Sequence, residues 1–83
     1  MTTKEECYQV MSKMHQIFHD CGGYEYNDDM LYNLDGANER YEIAKEDGDW
    51  EGCLEEISQC LPYFVWVKKM LTLQAEEPQQ IYG

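Results

Sequence analysis

The residues of this chain whose type and spacing most invite a chemical reading are its carboxylates. Between Asp35 and Glu56 stand nine acidic residues against Arg40 and Lys45, a local charge of −7 out of −11 for the whole 83-residue chain. Asp28, Asp35, Glu39, Glu42 and Glu46 step by seven, four, three and four, so on a helix they share one face. Such a row spans about 27 Å, with neighbours roughly 5–6 Å apart. Like charges at i, i+4 cost a few tenths of a kcal/mol each, so the row is held against a small penalty. A line of carboxylates offers a basic groove something like a phosphate strand. A DNA duplex carries charge every ~1.7 Å of axis, so the row needs Asp49, Glu51, Glu55 and Glu56 beside it to approach that density. Left in water, the same face would serve only solubility.

Other constellations are weaker. His15 and His19, at i, i+4 with Asp20 and Cys21 nearby, could present two ligands to one ion, but no second pair at a zinc-type spacing follows. Asp47-Gly48-Asp49 lacks the twelve-residue ligand pattern of a calcium loop. No phosphate-cradling glycine loop, nucleophile elbow or paired base is visible, and carboxylates on an open helix face stay solvated and untuned. The expectation is a non-enzymatic protein without a cofactor. Tyr8, Tyr24, Tyr26, Tyr32, Tyr63 and Trp66 lie off the apolar stripes or in connectors. Tyrosine and tryptophan are enriched at interface hot spots, so aromatics beside an acidic face describe an apolar anchor with an acidic rim.

The acids fall on elements that the apolar residues define. Thr3 followed by Glu6 reads as a capping box opening a helix from about Lys4 to Asp20. Cys7, Val10, Met11, Met14, Ile17, Phe18 and Cys21 then recur at the helical period, and Gly22-Gly23 ends the run. After the connector Tyr24 to Tyr26, Asn27 or Asp28 caps a second helix to about Glu46, striped with Met30, Leu31, Leu34, Ala37, Tyr41 and Ala44. Asp47-Gly48 closes it, and Asp49 caps a third helix carrying Trp50, Cys53, Leu54, Ile57, Cys60 and Leu61. Pro62 interrupts this helix, yet Phe64, Val67, Lys68 and Leu71 keep its phase. A kinked helix or two abutting helices to about Leu73 is therefore favoured over a short strand at Tyr63–Val67. The tail from about residue 75 is polar and expected to fray. The predicted fold is all-α: one small, acidic, antiparallel three-helix bundle, its third helix kinked or split at Pro62.

Tyr41, Ala44, Gly48, Trp50, Cys53, Leu54, Ile57, Cys60 and Leu61 together resemble a tetratricopeptide helix-turn-helix unit. The turn glycine, the aromatic two residues later and the small residues at close-contact positions carry the likeness. The family has alanine where Cys53 and Cys60 stand, and it stacks at least three repeats where this chain shows one. The resemblance implies an αα-hairpin and nothing about ligands.

Composition narrows the partners. A chain with 6 basic and 17 acidic residues has no basic stripe for nucleic acid and no basic face for anionic lipid. No apolar run reaches 18 residues, and Met1 to Lys13 has no signal-peptide layout, which points to a cytoplasmic protein. Cys53 and Cys60, seven residues apart on one helix, are separated by about 10.5 Å, beyond the ~7 Å limit for a bridge. Only pairing between helices could link cysteines, and the four are expected as free thiols acting as small hydrophobes. The leading expectation is an inhibitor that binds a basic, nucleic-acid-binding protein surface through Asp28, Asp35, Glu39, Glu42, Glu46, Asp49 and Glu51, anchored by Tyr32, Tyr63 and Trp66. In charge and size it is similar to phage-encoded anti-restriction and anti-CRISPR inhibitors. The alternatives are a helical adaptor docking through Tyr63–Leu71, and a small metal-binding domain using His15, His19 and a cysteine.

Overall fold

The first helix starts one residue earlier than the Thr3–Glu6 pattern predicts. Thr2, in extended backbone, is the N-cap: its side chain accepts from the Glu5 amide, and the Glu5 side chain accepts from the Thr2 amide in return. Both Thr2 and Thr3 precede a glutamate at the right spacing, and the earlier choice adds one more residue to the helix. The computed structural model describes residues 2–23 and 28–76. They form α1 (Thr3–Asp20), α2 (Asp28–Asp47) and α3 (Trp50–Glu76), with no strand among the described residues. Asp28 is thus the first residue of α2 rather than its cap. Asn27, the Tyr24–Tyr26 connector and the tail with Ile81 and Tyr82 lie outside the described residues.

The three helices pack as a bundle that runs up, down and up. Lys4 Nζ sits 5.6 Å from the centre of the Trp50 ring, and Asp20 meets Lys68 at 3.1 Å. These two contacts tie both ends of α1 to α3 in the same direction, with α2 antiparallel to both. Gly48, at φ 77°, makes the tight return from α2 to α3, a conformation side chains rarely adopt. Asp49 then caps α3, its Oδ1 accepting from the Gly52 amide at 3.1 Å.

The core is the sum of the three apolar stripes. Cys7, Met11, Met14, Ile17, Phe18 and Cys21 from α1 meet Met30, Leu34, Ala37 and Ala44 from α2 and Cys53, Ile57, Phe64 and Val67 from α3. Val10, Leu31, Tyr41, Trp50, Leu54, Cys60 and Leu61 pack around them, partly buried. Phe64, Met14 and Met30 are the largest side chains fully removed from water. Leu71 departs from its expected place: it keeps the phase of Phe64 and Val67 yet is exposed. Its stretch of α3 lies beyond Lys68, where Asp20 ends α1, so α1 no longer covers it.

α3 runs unbroken through Pro62, so neither two separate helices nor a strand at Tyr63–Val67 is present. Proline removes the hydrogen bond to the carbonyl of Ser58, four residues earlier. Both Ser58 and Pro62 are exposed, so water reaches the carbonyl that loses its partner. Phe64 and Val67 on the opposite side stay packed and hold the helix together. It continues to Glu76, three residues past the expected end at Leu73.

Candidate functional site

α2 carries the candidate site because its buried and acidic residues occupy opposite faces. Met30, Leu34, Ala37 and Ala44 point inward, and Asp28, Asp35, Glu39, Glu42 and Glu46 are all exposed. Tyr32, 80% exposed, lies four residues from Asp28 and three from Asp35, so an aromatic ring interrupts the row on its own face. Lys45 meets Glu42 at 2.9 Å, a pairing of neighbours on one helix that lifts the lysine pKa. No ion pair among the described residues involves Asp28, Asp35, Glu39 or Glu46. These four carboxylates and Tyr32 form the part of the surface free to meet something else.

Of the carboxylates expected to thicken the row from the adjoining hairpin, Asp49 and Glu56 have other work. Arg40 reaches from α2 across to α3, where it pairs with Asp49 at 3.0 Å and with Glu56 through its Nε. Its side chain is only 18% exposed, and Glu56, then its own burial, then Asp49 set its pKa, with the net direction upward. Asp49 serves this pair and the cap of α3 together. Gly52 gives both room: a Cβ there would strike the Asp49 carboxylate and come within 2.8 Å of Arg40 Nη2. The Asp47 carboxylate accepts from the Asp49 amide at 2.8 Å, holding the turn. Glu51 and Glu55, on the outward side of α3, are exposed and outside any ion pair among the described residues. Arg40 is the residue that sequence reasoning passed over. As one of two bases among eleven charged residues between Asp35 and Glu56, it was the signal for an internal partner.

The aromatic anchors gather only in part. Tyr32 and Tyr63 line one open groove of about 530 Å³ between α2 and α3, together with Asn33, Gly36, Arg40 and Gln59. Trp66 lies one helical turn beyond Tyr63, exposed. Tyr8 is exposed near the start of α1, and Tyr24 and Tyr26 lie outside the described residues. Tyr63, half-buried, packs edge-on to Phe64 with ring centres 5.9 Å apart.

The histidines and cysteines do not converge. His15 Nε2 lies 2.8 Å from Asn38 Oδ1, a contact between α1 and α2. Among the described residues no group of three or more His, Cys, Asp or Glu side chains could hold a metal ion. The four cysteines are free thiols; Cys7, Cys21 and Cys53 are buried and Cys60 half-buried. Burial pushes the Cys53 thiol up to about 11, with Cys7 beside it adding to the shift. Burial also raises Cys7, Cys21 and Cys60, so all four stay protonated and poorly nucleophilic near neutrality. Cys7 instead donates to the Trp50 carbonyl at 3.3 Å.

No helix among the described residues is long and apolar enough to cross a membrane. No family model, curated protein or solved structure matches this chain. The tetratricopeptide likeness therefore stays local to the α2–α3 hairpin, where Tyr41 and Trp50 pack edge-on with ring centres 5.5 Å apart.

Proposed function

We propose that this chain is a non-enzymatic interaction protein whose α2 face occupies a basic, nucleic-acid-binding surface of a partner protein and so inhibits it. The observation that carries this reading is the row Asp28, Asp35, Glu39 and Glu46: exposed, without ion-pair partners among the described residues, and opposite the buried stripe. A rigid helix presents these charges at fixed spacing, which favours rapid, steered association with a basic surface. Tyr32 supplies an aromatic contact within the row, and Glu51 extends the charge onto α3. Asp49 contributes by holding the hairpin rather than by meeting the partner. The free thiols fit a reducing compartment such as the cytoplasm.

The test is capture from the native host on immobilised full-length chain, beside an Asp35→Lys/Glu39→Lys variant whose circular dichroism matches wild type. A nucleic-acid-processing protein should be retained by wild type only. Its own nucleic acid should displace it, and its affinity should fall steeply, on the order of 10³-fold for several charge contacts, between about 50 and 200 mM salt. A partner held equally by the variant, or indifferent to salt, defeats the proposal.

A further inference from the structure

Asp20, the last residue of α1, is tied to Lys68, and α3 runs on for eight residues from Lys69 to Glu76. That is an overhang of about 12 Å. From just before Lys68 into this overhang, apolar side chains point in several directions: Val65, Trp66, Met70, Leu71 and Leu73 are each between 37% and 58% exposed. A helix apolar on several sides is normally a buried one. Leu71 continues the core stripe of Phe64 and Val67 past the end of α1 and is left 37% exposed.

We infer that this end of α3 is a homodimerisation surface, on which Trp66, Met70 and Leu73 of one copy pack against the same residues of a second copy. Three observations select a second copy as the occupant. Tyr63, Trp66, Met70 and Leu73 step by three, four and three, the seam repeat by which two helices pack side by side. From Ile57 to Ala75 the sequence has no Asp or Glu and only Lys68 and Lys69, while all 17 acids lie elsewhere. Lys68 is already paired with Asp20. Two copies at −11 each repel wherever acidic surface meets acidic surface, and a two-fold contact sets like against like. This stretch is the one where like against like brings apolar residues together. Trp66, Met70 and Leu73, with Tyr63 beside them, give each copy one apolar strip on a single helix face, the size of a small reversible two-fold contact.

Sedimentation equilibrium of the full chain, from low to high micromolar concentration, tests this. Wild type should move from 9.8 kDa towards twice that mass. Raising salt from about 50 to 500 mM should tighten the dimer by screening the repulsion between copies, opposite in sign to the salt effect on the α2 surface. Trp66→Glu and, independently, Met70→Glu should weaken the dimer roughly 30-fold or more, as for a central hot spot, with unchanged circular dichroism. Glu55→Gln on the outward side of α3 should leave the mass unchanged. A wild type that stays at monomer mass at every concentration and salt overturns the inference, and the same result would show the patch covered by the chain's own tail or kept for another partner. Glutamate variants that dimerise like wild type overturn it as well. Asp35→Lys/Glu39→Lys, at −7 rather than −11, should dimerise at least as tightly as wild type, so failure of the α2 proposal and failure of this one read out separately.

Discussion

The outward sides of the two halves of α3 differ in kind although one uninterrupted helix carries both. Before Pro62 the exposed residues include Glu51 and Glu55, continuous in character with the acidic face of α2. After it come Val65, Trp66, Lys69, Met70 and Leu73, without a carboxylate before Glu76. The inward sides differ too. Cys53, Ile57, Phe64 and Val67 are buried against the other helices, and Leu71, next in phase, is exposed. The carboxylates are therefore spread over the rest of the molecule and missing from this stretch of α3, which has the composition of an interior turned outward. A regular helix imposes no such division. On the inward side it follows the end of α1, which Asp20 ties to Lys68.

The largest expected effect tests the inward half of this contrast. Phe64→Ala should cost about 3–5 kcal/mol, the usual range for deleting a fully buried phenylalanine ring. Small domains have a total stability of only about 5 kcal/mol or a little more, so the variant should be largely unfolded at room temperature. Leu71→Ala, one stripe position further along, should cost distinctly less, about 1–2 kcal/mol, because Leu71 keeps 37% of its surface in water where Phe64 keeps none. Urea melts followed by circular dichroism at low protein concentration, where the chain is monomeric, would measure both. Equal costs would mean that Leu71 is covered within the single chain, and the contrast between the halves would collapse.

A smaller effect concerns which acids are free. Arg40→Met keeps much of the packing of the side chain but leaves Asp49 and Glu56 without their partner. Melting temperature should fall, and the gap to wild type should narrow with added salt, since both carboxylates are more than half exposed. Affinity for a basic partner should hold or rise, because the variant carries one positive charge fewer. Stability and binding moving in opposite directions would separate the acids that fasten the hairpin from those that face outward. If binding falls together with stability, the Arg40 cluster belongs to the interaction surface.

That division marks the limit of what one-dimensional reasoning could see. Periodicity located all three helices, nearly every core residue, and the exposed row on α2, because burial and helical phase are written in the order of residue types. The cap slipped from Thr3 to Thr2 because both positions satisfy the same local pattern. At Pro62 periodicity leaves a bent helix and a divided one both open: the outcome depends on whether water reaches Ser58, which is a matter of facing rather than of sequence. Asp49 and Glu56 were grouped with the free acids because only folding brings Arg40 between them. The exposure of Leu71 was likewise invisible, since phase says which way a side chain points and not whether anything stands there.

The smallest effect bears on the contact that ties the end of α1 to α3. Hydrogen bonds from Gln16 and then Lys68 hold the Asp20 carboxyl below the usual carboxylate range. A depressed folded pKa means that the tie contributes while Asp20 is ionised, fully above the unfolded value of about 3.9, and is lost as pH falls through the lower folded value. Asp20→Asn should therefore melt slightly below wild type at neutral pH, with the difference closing in acid as pH falls through the lowered folded value. High salt should close it too, because both partners are solvent-accessible. Amide exchange in the last turn of α1 is the local readout: faster exchange in Asp20→Asn at neutral pH, matching wild type in acid, would show that this pair fastens the end of α1 to α3. Exchange unchanged at neutral pH would leave the packing of Phe18 and Cys21 to hold that end alone. The start of the α3 overhang would then be set by apolar contact rather than by charge.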